Sequence, residues 1–316
     1  MSAPERGSYC IGLHELHLPT GAKPRLSTIY AGLRDRDHGS ARWGEVLASL
    51  QDRAETARTT EMPRRSRAAE LYRAAGVNPE AAFSDSRLVG FDAHDGAAVI
   101  AEHTGPSATF SIEVHSVLDG RHYVFEGEGS QASRYPAVRD GVLNDVSRYR
   151  PRVSGVQPPT DAFCTANGYF QLRDNEDVAG DAQLAVTFTD MPGVSFSLNI
   201  YGLVKASKEL SFVERAARDL LELTRLGGRV KRLHSGKRSY GGQSGDIVAI
   251  RMASEDNDTG YHYKYFWHAA GRPMDAYAPE IEAELLAEAP NGLKKDPLDP
   301  IRDDILKGYR NRRDAR

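Results

Sequence analysis

The chain has 316 residues, enough for one large domain or two ordinary ones, and 40% of them are apolar. No run approaches the ~20 apolar residues of a membrane-spanning helix. The net charge is −3, split as −1 over residues 1–157 and −2 over the rest, without the basic excess of a nucleic-acid binder. Two cysteines make neither a disulfide framework nor a zinc site.

The first residues, Met-Ser-Ala-Pro-Glu-Arg-Gly, are polar and contain no apolar signal region. Two expectations stay open: a cytoplasmic protein, or one whose leader has been removed. Tyr9 to Leu18 alternates as a strand and is stopped by Pro19. Trp43, Val46, Leu47, Leu50 and Ala54 recur at helical spacing up to about Arg58. A second helical piece spans Arg67 to Ala75. Gly90 to Gly96 leads into the apolar run Ala97–Ala101. Phe110, Ile112 and Val114 share one face of the next strand. Asp119-Gly120 reads as a hairpin turn, with Tyr123 to Glu128 returning. Val138 to Tyr149 is predicted helical.

The second half opens with a strand from Phe163. Two more follow, Ala182–Phe188 and Val194–Tyr201, and then a helix over Lys208–Leu226 ended by Gly227-Gly228. The stretch Leu233–Trp267 organises this half. Gly241, Gly242 and Gly245 supply a turn and Ile247–Met252 a strand. After the polar break Ser254–Gly260, Tyr261, Tyr263, Tyr265 and Trp267 fall on one face of a second strand. Packing of these rings against the Lys208–Leu226 helix is expected. A last helix is predicted over Ile301 to about Arg310.

The halves correspond in order. Tyr9-Cys10 answers Phe163-Cys164, and the helix from Trp43 answers that from Lys208. Gly96–Ile100 answers Gly245–Ala249, and Phe110/Ile112/Val114 answers Tyr263/Tyr265/Trp267. Phe125–Glu128 answers Ile281–Glu284, and Val138–Leu143 answers Ile301–Leu306. The expected fold is α+β: two similar tandem lobes, each an antiparallel sheet with helices packed on one face. The lobes are placed at 1–155 and 156–316, joined through the Gly- and Pro-bearing segment Ser154–Thr160. The repeat also makes residues 280–287 a strand despite their good helix formers, because Gly127 sits in the counterpart. Cys10 and Cys164 occupy equivalent positions, read as two buried thiols, with a bridge between them as the alternative.

Motifs with catalytic potential are weak. His14 and His17 are three apart on a strand, so they point to opposite faces rather than to one metal. Gly242-Gln-Ser244-Gly-Asp246 lacks both the second glycine and the following helix of a nucleophile elbow, and the same glycines precede no phosphate-binding helix. Glu126/Glu128 and Glu282/Glu284 each point one way from a strand, as general acid–base pairs do, but also as the wet face of any half-buried sheet does. His94-Asp95 reads as a polar turn. The tyrosine face is core or a stacking and interface surface. No catalytic, cofactor-binding or metal-binding residue is assigned and no cofactor is expected, which favours a binding role.

Several motifs also resemble a known family. They are Tyr9-Cys-Ile-Gly with Leu18-Pro, Phe163-Cys164 with Gly168, Met191-Pro-Gly and Arg238-Ser-Tyr-Gly-Gly-Gln-Ser-Gly-Asp. Trp267, Pro279-Glu-Ile-Glu and Asp303-Asp-Ile-Leu complete the set. In this order the chain resembles the immunity proteins that neutralise lipase effectors of the bacterial type VI secretion system, specifically those cognate to the fourth lipase-effector family. The resemblance implies a two-lobed clamp on a toxic phospholipase, a periplasmic location and no catalytic residues; the free chain is expected to be a monomer. The contacts expected on this reading are the hairpin tip Glu255, Asp256, Asn257, Asp258 and Tyr261, and its counterpart Asp119, Arg121 and His122. Two rivals are a glycan or lipid hydrolase using the paired glutamates, and a periplasmic small-ligand carrier with a deep cavity.

Overall fold

The structure is a computed structural model. It describes residues 7–60, 70–71, 73–76, 86–104, 109–153, 156–173, 180–202, 230–253, 261–273, 275, 277–289 and 299–312. The expected helices at 67–75 (apart from residues 70, 71 and 73–75) and 208–226 lie outside the described residues, as does Glu255–Asp258.

In chain order the strands begin β1 (Gly7–Ile11), β2 (His14–Leu18), β3 (Ala22–Tyr30) and β4 (Arg34–Ser40), followed by helix α1 (Trp43–Thr59). Next come β5 (Leu88–His94), β6 (Ala97–His103), β7 (Phe110–Leu118), β8 (Arg121–Gly129), helix α2 (Tyr135–Val146) and β9 (Tyr149–Pro151). The second half holds β10 (Ala162–Cys164), β11 (Gly168–Gln171), β12 (Gly180–Phe188) and β13 (Val194–Tyr201). It ends with β14 (Val230–Tyr240), β15 (Gln243–Ala253), β16 (Tyr261–Ala269), β17 (Glu280–Ala289), helix α3 (Asp299–Leu306) and β18 (Tyr309–Asn311).

The duplication is visible in the sheets. A five-stranded sheet has the order β5-β6-β7-β8-β4, and a seven-stranded sheet begins β14-β15-β16-β17-β13 before adding β12 and β3. Val114 pairs with Val99 and with Phe125; its counterpart Trp267 pairs with Ile247 and Ala283. The α+β character and the repeated antiparallel lobes are as expected. The repeat register at β8 and β17 is shifted, since Phe125 corresponds to Ala283 rather than Ile281.

The chain divides into two compact units: Met1–Tyr30 with Gly155–Ala166 and Gln171–Arg316, and Ala31–Ser154 with Asn167–Phe170. This differs from continuous lobes at 1–155 and 156–316, because three strand pairings reach across the sequence. β18 pairs with β2, β9 pairs with β11, and β3 pairs with β12 along its whole length. The β3–β12 register sets Leu26 opposite Leu184. A repeat offset of 158 residues carries Leu26 onto Leu184, so at this one position of the antiparallel ladder a residue faces its own counterpart.

In the larger unit, alternation on β12, β13, β15, β16 and β17 builds one apolar face. Leu184, Val186, Leu198, Ile200, Ile247, Ala249, Tyr263, Tyr265, Trp267, Ile281 and Leu285 are all buried there. Each such aliphatic side chain removed from water contributes about 1.5–3 kcal/mol. The described partners of this face are Ile11, Leu16 and Leu18 of the first hairpin, Ile305 and Leu306 of α3, and Tyr309. β17 is a strand because it is paired on both sides and sends Ile281, Ala283, Leu285 and Ala287 inward. That burial outweighs its helix propensity.

The turn before β15 is Gly241-Gly242, with φ of +55° and +77°, a conformation that only glycine adopts without strain. Gly245 is needed for close approach: a Cβ there would lie 2.5 Å from the Trp267 indole nitrogen. That nitrogen donates to the Arg238 carbonyl at 3.2 Å. In the smaller unit α1 lays Val46, Leu50 and Ala54 on Ala98 and Ile100. On the opposite face Tyr149 sits among Tyr123, Phe125 and Phe170, its hydroxyl donating to buried Asp35 at 3.0 Å.

Cys10 and Cys164 form a disulfide, correcting the expectation of two free thiols. The reading of separate lobes had set them apart. In fact both fall in the same unit, and the Gly12–Cys164 bridge brings β1 and β10 together at a Cα–Cα distance of 5.7 Å. Buried Arg312 fixes the same corner, donating to the carbonyls of Pro158, Pro159 and Ala162 at 2.5, 2.6 and 3.0 Å.

The bridge closes a loop of 154 residues, so replacing both cysteines by serine is expected to lower the stability by about 2–4 kcal/mol in urea unfolding. Unchanged stability, within about 0.5 kcal/mol, would show that the bridge contributes nothing.

Candidate functional site

The smaller unit carries a polar groove of about 550 Å³ between α1 and the outer face of β4, β8 and β7. Strand alternation places Glu113 and His115 of β7 on this face beside His122 and Glu126 of β8. Helical spacing brings Glu45, Ser49 and Arg53 of α1 to its wall, and exposed His38 of β4 closes the far side.

A chain of hydrogen bonds runs along its floor. The Arg53 guanidinium donates to Glu102 at 2.5 Å and to both oxygens of Glu113 at 2.6 and 3.0 Å, while Arg87 reaches the other Glu102 oxygen at 2.8 Å. His115 Nε2 lies 3.0 Å from Glu113, and His115 Nδ1 lies 3.0 Å from His122 Nε2. A singly protonated His115 ring holds its proton on Nε2 against the carboxylate, so His122 Nε2 donates to Nδ1.

Burial pulls the Glu113 carboxyl up, but hydrogen bonds from His115 and Arg53 and the Arg53 charge outweigh it and bring the pKa down to about 2. Paired with two carboxylates, Arg53 is held above the usual guanidinium range. His122 is pushed down to about 4, first by burial and then by the neighbouring His115 and His38. Its ring stacks on His115, with centroids 5.2 Å apart, and lies 5.2 Å from His38. The two most buried carboxylates here, Glu102 and Glu113, are thus both held by arginine.

The larger unit repeats the arrangement in altered form. By strand register His268 corresponds to His115 and Glu280 to His122, and His268 Nε2 lies 2.9 Å from the Glu280 carboxylate. Glu282 lies opposite His268 and accepts from the Tyr201 hydroxyl at 3.4 Å. Among the described residues His268, Glu280 and Glu282 are the group with ligand atoms close enough for one ion, all within 4.8 Å. The His268–Glu280 hydrogen bond already accounts for burying that histidine.

The residues expected to meet a partner are placed as follows. Asp119 and Gly120 form the two-residue turn of β7 and β8, with φ of +50° and +74°. Exposed Arg121 donates to Asp37 at 2.6 and 3.0 Å, and His122 faces the groove. Tyr261, half-buried in the larger unit, carries the Arg251 guanidinium 4.3 Å above its ring. Glu255, Asp256, Asn257 and Asp258 lie outside the described residues.

No catalytic constellation forms among the described residues. Ser244 is exposed opposite Ser239, Glu126 pairs with Arg36 at 3.0 Å, and Glu284 with Lys264 at 3.8 Å. His14 is buried against Tyr309 whereas His17 points outward to Arg310, as strand alternation requires. Sequence reasoning missed Arg53, His115 and His38. The signal for Arg53 was a lone arginine on the buried side of α1; the histidines gave none, because their meeting depends on strand register.

Unfolded His122 takes up a proton near pH 6.5 and the folded residue only near pH 4. Acid therefore favours the unfolded chain, and stability falls as the pH drops from about 6.5 to 4. The loss is about 1–2 kcal/mol after allowing for solvent screening of this part-exposed ring. In urea unfolding at successive pH values His122→Gln is expected to flatten that slope; an unchanged slope would assign it to other groups.

Comparison with known proteins follows the same lines. Residues 157–305 match the family described as Tle cognate immunity protein 4 C-terminal domain. Among curated proteins none matches. Among solved structures the chain is similar to the apo immunity protein TplEi of T6SS from Pseudomonas aeruginosa (TM-score 0.75) and to a chain of the Tle4-Tli4 complex (TM-score 0.76). Each is 17% identical and aligns over 97% of both chains. TplEi complexed with an "L" peptide gives a TM-score of 0.70 at the same identity. The chain thus has the fold of the immunity protein TplEi along almost its whole length, and its C-terminal half carries the sequence pattern of the Tle cognate immunity protein 4 C-terminal domain.

Proposed function

We propose that this chain is an immunity protein that binds a toxic type VI lipase effector and abolishes its activity, gripping the enzyme with both α+β lobes. The observation that carries the reading is the family pattern over residues 157–305, joined to a fold shared over 97% of TplEi, an immunity protein of this secretion system. The chemistry agrees with it. Of the carboxylates considered for hydrolysis, Glu126 and Glu284 are ion-paired and Glu282 accepts from the Tyr201 hydroxyl, and exposed Ser244 lies opposite Ser239.

The proposed compartment is the periplasm. The Cys10–Cys164 bridge supports it, since structural disulfides persist where the surroundings are oxidising. A clamp that buries more than the ~1,600 Å² of a standard interface fits a protein that must neutralise small doses of toxin.

Mixed with the lipase encoded beside its gene, the chain is expected to co-elute as one complex in gel filtration. The dissociation constant should be nanomolar or tighter, about −12 kcal/mol, with lipase activity lost in proportion to complex formed. Two separate peaks with an active lipase would refute the reading.

A further inference from the structure

Among the described residues the seven-stranded sheet ends at β14, an eleven-residue strand paired on one side only, to β15. Nine of its residues, 231–239, are exposed, so among the described residues neither face of this stretch is covered. Its sequence, Val230-Lys-Arg-Leu-His-Ser-Gly-Lys-Arg-Ser-Tyr240, holds four cations and no carboxylate in a chain of net charge −3. Among the described residues Lys231, Arg232, Lys237 and Arg238 have no carboxylate within ion-pairing distance. Across the ladder Lys231 faces another cation, Arg251, and Lys237 faces Asp246.

The counterpart strand is built otherwise. β5, at the same end of the smaller sheet, is half-buried over Leu88–Asp92 and lies against α1. It carries one acidic residue, Asp92, tied to Tyr135 and Arg139. Among the described residues the same position in the repeat is therefore sheltered in one copy and exposed and basic in the other.

A bare edge presents a row of backbone donors and acceptors that another extended chain can pair with. The charges decide which chain. A second copy would bring four more cations against these four and be repelled, whereas an acidic segment would be attracted. The strand is also held in shape: the Arg238 carbonyl is anchored by the Trp267 indole, and the bulge at Leu233 sets the twist of its first third.

We propose that β14 is a docking edge for an extended acidic segment of the lipase effector, which joins the sheet as an added strand. This deepens the function proposed above and rests on it for the identity of the partner. Main-chain pairing supplies the hold, while Lys231, Arg232, Lys237 and Arg238 speed the encounter and favour acidic sequences.

The test is the fourfold variant Lys231→Glu, Arg232→Glu, Lys237→Glu and Arg238→Glu, with its fold checked by circular dichroism. Binding to the lipase is measured by interferometry at low and high salt, with amide hydrogen exchange on the wild-type complex. Expected are a dissociation constant raised by about tenfold or more, chiefly through slower association, and protection of the 230–240 amides. A smaller change, or unprotected 230–240 amides in the complex, overturns the proposal. If the wild type fails to bind the lipase, the immunity reading falls separately, and a synthetic octapeptide alternating Glu and Val becomes the probe. Protection of 230–240 by that peptide in the wild type but not in the variant supports an acidic-strand edge; absence of protection in the wild type rejects it.

Discussion

The antiparallel pairing of β3 with β12 is the constraint on which the larger unit depends. Without β3 the seven-stranded sheet would end at β12, and its apolar face would lose the strand that follows the first hairpin. With it, the opening thirty residues are committed to the same unit as the end of the chain. The other long-range links follow. β2 comes to lie where β18 can pair, His14 reaches the Tyr309 hydroxyl at 2.8 Å, and Cys10 reaches Cys164. Each of these brings together residues about half a chain or more apart.

The sequence was most informative where burial on one face imposes a period. The tyrosine strand β16, the α1 stripe, the Asp119-Gly120 turn and the strand character of β17 were all legible, the last only because the repeat could overrule propensity. β3 and β4 were not. Arg34-Asp-Arg-Asp-His-Gly-Ser40 has almost no apolar signal, since its inward residue Asp35 is satisfied by the Tyr149 hydroxyl instead of by hydrophobic contact. β18 was read as the tail of a helix, because three residues are too few to show alternation. The exchange of segments could not be seen either: a repeat reveals which pieces are equivalent, but not whether equivalent pieces pair within a copy or across copies.

The groove shows the same limit at the level of side chains. His115 and His122 meet because the β7–β8 register sets them diagonally, and Glu113 stays charged because α1 delivers Arg53 to it. Each is one polar residue on an alternating strand, indistinguishable in sequence from a solvated face. The repeat preserves the position and changes the chemistry, from His115/His122 to His268/Glu280. Two copies of one scaffold have thus drifted toward different electrostatics while keeping the backbone that places them.

The pairing of β2 with β18 also fixes when this protein can finish folding. Leu16 waits for Tyr309, so during synthesis the outer edge of the first hairpin stays without this partner until residues 309–311 have been made. Contacts of such high sequence separation form slowly. During that interval β2 is paired on its β1 side alone and Cys10 is unbridged, so closure of this corner is a late step of folding.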